Sequence, residues 1–192
     1  MVFQLAIIGD ACSGKTTYKR YLQDGPEFNF LAYKKHLPTN YEKNFNNNFE
    51  KIHVDNIEVE IMDAPGQSLY LDQTKRLLYS ANGVIIMYDK NNLTSKQNVL
   101  DTYLPIIDEI NLTRNAKTKI HVSIIGNKDD LGGKHTFRNT CFKSFDTRVN
   151  LFSMSLRNEN IIDYGNNISS WWKNSEEIKH DDLTRPIRKL IV

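Results

Sequence analysis

Gly9-Asp10-Ala11-Cys12-Ser13-Gly14-Lys15-Thr16-Thr17 follows an apolar run and opens a helix-like stretch. The pattern G-x-x-x-x-G-K-[S/T] is a phosphate cradle, in which glycines let the backbone approach the anion and successive N–H groups turn inward. Asp10, Ala11, Cys12, Ser13, Gly14, Lys15, Thr16 and Thr17 would line it. Lys15 is placed to neutralise the β- and γ-phosphates, and the Thr16 hydroxyl to ligate Mg²⁺. The helix beginning here points its positive dipole end at the same anion. A glycine-containing turn that fits the pattern by chance is the competing reading; the apolar run before the loop and the helix after it argue against that.

Two further segments carry chemistry. In Asp63-Ala64-Pro65-Gly66-Gln67 an aspartate ends a strand-like run, where it can hold Mg²⁺ directly or through water, and Gly66 can offer its N–H to a terminal phosphate. Alone the motif is weak, because a surface turn uses the same Asp, Pro and Gly. Asn127-Lys128-Asp129-Asp130 discriminates better. Asp130 can accept N1–H and the exocyclic amine of guanine as a bidentate pair, and adenine has no such donors. An Asn/Asp turn leading into Leu131-Gly132-Gly133 is the plainer alternative.

Elements must bring these segments together. Val2–Ile8, Gly83–Tyr88 and Ile120–Ile125 are short apolar runs that read as buried parallel strands. Phe49–Val54 and Ile57–Met62 alternate around Asp55-Asn56 and read as an antiparallel hairpin. Helices are predicted over Lys15–Leu22, Gln73–Ser80, Thr94–Ile110, His135–Phe145 and Ile161–Trp172, with Tyr18, Tyr21 and Leu22 sharing one face of the first. The segment from Asp24-Gly25-Pro26 to about Asn48 reads as a long loop. Alternation at this spacing predicts an α/β fold with a mostly parallel sheet, helices on both faces and ligands at the carboxyl ends of the strands. One domain over residues 1–173 is expected, followed by a loose or docked tail over 174–192.

Composition removes other classes. Of the 192 residues 40% are hydrophobic and 25% charged, a balance suited to a folded globular chain. The formal charge of +2 is too small to argue for nucleic acid. No apolar stretch approaches the ~18 residues of a membrane span, and the first residues lack signal-peptide features, so an intracellular protein is expected. Cys12 and Cys141 match no disulfide or zinc spacing. Cys12 lies near Lys15 and a helix start, which favours a reactive thiol, but a small residue tolerated in the loop is the simpler account. Trp171 and Trp172 read as helix anchors, and adjacent helix positions cannot both face the core.

In order and spacing these motifs resemble the Ras superfamily of small GTPases, over about Val2 to Trp172. The resemblance implies a P-loop NTPase fold with a six-stranded mostly parallel sheet, Mg²⁺ and GTP or GDP as ligands, and effectors, exchange factors and GTPase-activating proteins as partners. It implies that Ser155-Leu156-Arg157 stands where the family has S-A-K, with backbone N–H groups meeting the guanine oxygen beside Asn127, Lys128 and Asp130. Thr39, the sole Ser or Thr between Thr17 and Asp63, is the candidate switch threonine for Mg²⁺ and the γ-phosphate; an unrelated loop threonine is the alternative. Gln67 matches the glutamine that orients the attacking water, giving Gln67, Lys15 and Thr39 as the catalytic set and Thr16, Thr39 and Asp63 as metal ligands. Departures are Leu156, Arg157, Pro65 where a small residue is usual, and Ala11 where many members have glycine.

The Gly-Asp start and Lys-Thr-Thr resemble the Ran branch, without its acidic terminus, and a divergent Ran- or Rab-like member is implied. The end Arg185 to Val192 carries no cysteine, so no prenyl anchor is expected, and the compartment is cytoplasmic or nuclear. The implied function is a guanine-nucleotide switch with slow GTP hydrolysis. A pseudo-GTPase scaffold that holds nucleotide without turnover is the alternative. A P-loop kinase or ATPase is disfavoured by Asn127 to Asp130.

Overall fold

Strands covered on both faces must be apolar at every position, and strands with one open face only at alternate ones. Both kinds occur in the computed structural model, which describes residues 2–24, 50–156, 160–163 and 180–191. The strands are β1 (Phe3–Gly9), β2 (Glu50–Val54), β3 (Ile57–Asp63), β4 (Gly83–Asp89), β5 (His121–Asn127), β6 (Val149–Ser155) and β7 (Asn160–Asp163). The helices are α1 (Lys15–Asp24), α2 (Leu71–Ser80), α3 (Leu93–Asn98), α4 (Leu104–Leu112) and α5 (His180–Arg188), with a π-helical turn, Val99–Tyr103, joining α3 to α4. Thr39, Arg157, Trp171 and Trp172 lie outside the described residues.

One sheet runs in the order β2-β3-β1-β4-β5-β6-β7. The pairs from β3 through β6 are parallel, while β2 and β7 are antiparallel edges. The predicted strands are present, and four-residue β7 adds a seventh. Asp55 and Asn56 both have positive φ, 48° and 66°, the geometry of the tight hairpin turn their residue types favour.

The central strands divide their side chains between two cores. Ala6, Ile8, Val84, Ile86, Val122 and Ile124 pack with Leu78 of α2 and with Leu104, Ile107 and Ile110 of α4. Leu5, Ile7, Ile85, Met87 and Ile125 pack with Tyr18, Tyr21 and Leu22 of α1 and with Leu183 and Ile187 of α5. The chain leaves β1 at the point where its neighbours are β3 on one side and β4 on the other. There the connections diverge to opposite faces, the arrangement in which α/β sheets bind ligands at the carboxyl ends of their strands.

Two predicted helices are corrected. Over His135–Phe145 there is only a 3₁₀ turn, Asn139–Phe142. Phe137 instead packs edge-on against Tyr88 at 5.0 Å and against Phe142 at 5.2 Å between ring centres. Where a helix was predicted to start at Ile161, residues 160–163 form β7, which pairs with β6; the rest of that prediction lies outside the described residues. Within the predicted tail, residues 180–191 hold α5, which is docked on the sheet. Tyr18 donates to the Leu183 carbonyl at 2.6 Å, and Ser123 of β5 donates to the Pro186 carbonyl at 2.9 Å.

Candidate functional site

The cradle between β1 and α1 requires glycine for steric reasons. A Cβ on Gly9, whose φ is +137°, would fall 2.0 Å from the Met87 carbonyl oxygen; one on Gly14 would fall 2.2 Å from the Asn127 amide nitrogen. Cys12 itself takes φ +62°. Lys15 is nearly buried, and its ammonium donates to the carbonyls of Gly9 at 2.9 Å and Asp10 at 2.8 Å. Two of its three protons span the loop, and one remains for an anion in the cradle. Burial lowers the Lys15 pKa, opposed by the charges of Asp63, Asp10 and Cys12.

Thr16 Oγ1 donates to Asp63 Oδ2 at 3.2 Å. Asp63 Oδ1 and Ser13 Oγ are buried with no hydrogen-bond partner among the described residues. Burial raises the Asp63 pKa, opposed by Lys19, Lys15 and the Thr16 hydroxyl. A hydroxyl and a carboxylate with a spare buried oxygen are hard oxygen donors of the kind Mg²⁺ takes alongside phosphate oxygens. The residues therefore fit that ion. Gly66 presses on the cradle: a Cβ there would sit 2.5 Å from Lys15 Nζ and 2.6 Å from the Ala11 nitrogen. Gln67 is exposed at the start of the short 3₁₀ turn Ser68–Tyr70, whose Tyr70 N–H bonds the Gln67 carbonyl at 3.0 Å.

The third segment is tied to the first. Asn127, at the end of β5, donates its amide to the Ser13 carbonyl at 2.9 Å and accepts from the Leu156 N–H at 3.3 Å. It braces the cradle against the loop after β6. Ser155 donates to Asp130 Oδ1 at 2.7 Å, which restrains one oxygen of that carboxylate. Leu156 is held from both sides, because Tyr21 of α1 donates to its carbonyl at 2.8 Å and its side chain is buried in the α1 core. The larger residue in the usual alanine position is thus packed inward.

The sequence reading named Lys128 and Asp10 but not the contacts they make, and it missed Lys90, Asn91, Asn98, Tyr103 and Ser153. Lys128, with φ +64°, sends its ammonium to Asp89 Oδ2 at 2.7 Å, and Asn91 donates to the Lys128 carbonyl at 2.8 Å. Lys90 is buried, pairs with Asp129 and donates to Ser153 Oγ at 2.7 Å. Asp89-Lys90 and Lys128-Asp129 are therefore cross-paired. Asp10 is bound by Asn98 and Tyr103. A lysine directly after an apolar strand was the available signal for Lys90; nothing local marks the Asp10 contacts.

The fold and the Gly9–Thr16 loop define a P-loop nucleotide-binding protein. The Ras family model matches residues 4–163, and the chain belongs to the Ras family of small GTPases. It is 30% identical over 156 residues to Ras-related protein RGP1 of Oryza sativa subsp. japonica, covering 80% of this chain and 62% of that protein. It is 26% identical over 147 residues to Ras-related protein Rab-28 of Caenorhabditis elegans, covering 76% and 56%. Against Ras-related protein Rab-1 of Theileria annulata the figures are 27% over 130 residues, covering 68% and 54%. The matches therefore span between 54% and 62% of these relatives' own lengths. Members of the family bind GTP and GDP with Mg²⁺ and hydrolyse GTP. Among the described residues no helix is long and apolar enough to cross a membrane.

Proposed function

We propose that this chain is a GTP/GDP switch that hydrolyses GTP slowly. The observation that carries the reading is the convergence of three segments separated in sequence. Asn127 bonds the cradle at Ser13, Thr16 bonds Asp63, and Ser155 aligns Asp130. Asp130 reads guanine through paired acceptor oxygens, and the cradle N–H groups with Lys15 hold the phosphates. Thr16 and Asp63, with Thr39 when GTP is present, would hold Mg²⁺, which supplies charge neutralisation at the phosphates.

Catalysis in this reading is positioning and electrostatics. Gln67 orients the attacking water, and Lys15 stabilises charge as the terminal bond breaks. Contacts from Thr39 and Gly66 to the γ-phosphate order their two loops, and loss of phosphate releases them. Effectors, exchange factors and GTPase-activating proteins would read or drive that cycle.

The test is to identify the nucleotide that copurifies and then to time phosphate release in a single turnover with Mg²⁺. Bound GDP and a slow release that Gln67→Leu slows further support the switch. Retained GTP with no turnover supports a holding module, and no affinity for GTP or GDP refutes both.

A further inference from the structure

The phosphate cradle accounts for Lys15 but not for a second ammonium beside the candidate magnesium position. Lys19 stands one turn further along α1 on the same face. Its Nζ lies 3.4 Å from Glu50 Oε1 and 3.9 Å from Asp63 Oδ2, with only 13% of its side chain exposed. The two carboxylates are little exposed, at 22% and 19%. Each also keeps one oxygen buried without a hydrogen-bond partner among the described residues, Glu50 Oε2 and Asp63 Oδ1. Two acidic groups that β2 and β3 hold side by side thus share a single tethered cation, at the place where a divalent ion would sit.

An ammonium so placed acts in two ways. Attraction to a carboxylate falls with distance and is little screened when the groups are shielded from water. Lys19 therefore lowers the attraction of Asp63 for an incoming dication. It also leaves Asp63 partly neutralised when no dication is bound, so loss of the ion exposes less uncompensated charge next to the cradle.

We propose that Lys19 is a built-in competitor and partial substitute for Mg²⁺ at Asp63, weakening magnesium binding while making nucleotide retention less dependent on it. This rests on the nucleotide-switch reading above. Glu50 sets the strength of the effect by drawing the ammonium to its own side.

The experiment follows release of a fluorescent GDP analogue from the full chain across buffered free Mg²⁺ and in chelator. Lys19→Met keeps the apolar stem and removes the charge. The Mg²⁺ concentration that half-suppresses release should fall about tenfold in this variant, and release in chelator should speed up by a similar factor. Lys19→Arg retains the charge and should follow the unmodified chain. Lys19→Gln provides the same measurement if the methionine variant does not fold. Coincident Mg²⁺ curves for the charged and uncharged variants, with normal GDP binding, overturn the Lys19 role alone. Absence of GDP binding by the unmodified chain at every Mg²⁺ level refutes the switch reading and this proposal with it.

Discussion

The Tyr103 hydroxyl donates a 2.8 Å hydrogen bond to Oδ1 of Asp10, joining the phosphate cradle to the far end of a π-helical turn. Asn98, at the near end, reaches the same carboxylate at 3.1 and 3.0 Å. Five residues apart on an α-helix, two side chains diverge by about 140°. The wider π turn brings them back to one side, which is how both reach Asp10. Tyr103→Phe should destabilise the fold by about 1 to 2 kcal/mol. It should also speed GDP release several-fold. Urea denaturation and nucleotide release measure the two effects; unchanged release would mean that the tether does not hold the cradle.

Ser155 bonds Asp130 Oδ1 at 2.7 Å, and in the proposed reading that carboxylate accepts two donors from a guanine edge. A charged acceptor facing two donors contributes more than a neutral one, so Asp130→Asn should weaken GDP binding about 10- to 100-fold. Inosine diphosphate lacks the exocyclic amine. The native chain should bind it less tightly than GDP, and the difference should shrink in Asp130→Asn. Equal affinities for the two nucleotides in the native chain would remove Asp130 from base recognition. Titration calorimetry with both ligands gives the answer.

Arg114 closes the end of α2. Its guanidinium donates to the carbonyls of Ala81 at 2.8 Å, Tyr79 at 2.7 Å and Leu78 at 3.3 Å, as well as Thr118 at 3.0 Å. Helix carbonyls with no intrahelical partner carry partial negative charge, so a cation there is doubly favourable. Arg114→Ala should cost about 1 to 2 kcal/mol in chemical denaturation. Hydrogen exchange should quicken at the last turn of α2. Exchange that rises uniformly over the whole chain would contradict a local capping role.

Asp89 ties part of the fold's stability to pH. Partial burial pushes its carboxyl up, but hydrogen bonds from the Lys128 ammonium and the Asn91 backbone outweigh it and hold the pKa below the ordinary 3.8. A carboxylate stabilised in the folded state contributes fully above its unfolded pKa, and the contribution fades as pH falls through the lower folded value. Stability measured between about pH 5 and 3 should therefore decline less steeply in Asp89→Asn than in the native chain. Parallel declines would show that Asp89 is not linked to acid unfolding.

The sequence revealed the strand ends best, because apolar or alternating runs stop at chemically distinctive residues: Gly9, Asp63, Asp89 and Asn127. Motif spacing then located the cradle, and the structure brings Asn127 and Asp63 to it. The predicted helix over His135–Phe145 failed because aromatic residues at near-helical spacing were drawn into a ring cluster with Tyr88. Tertiary contact overrode the local period. Docked α5 was legible in principle. Leu183, Ile187 and Leu190 form a buried stripe at helical spacing, obscured by the charged residues around it and by Pro186.

The contacts of Lys90, Tyr103 and Tyr21 could not be read locally, since each joins positions far apart in the chain. Tyrosine occurs on surfaces and in cores alike, and a lysine is buried, as Lys90 is, only where it is paired. Only the assembled strand ends give them a partner.

Because Asp89-Lys90 and Lys128-Asp129 pair crosswise, neither dipeptide is an independent unit of change. Reversing the order of one would set like charges face to face at both contacts, while reversing both would restore each attraction. A single reversal here should therefore cost more stability than the paired inversion of both dipeptides.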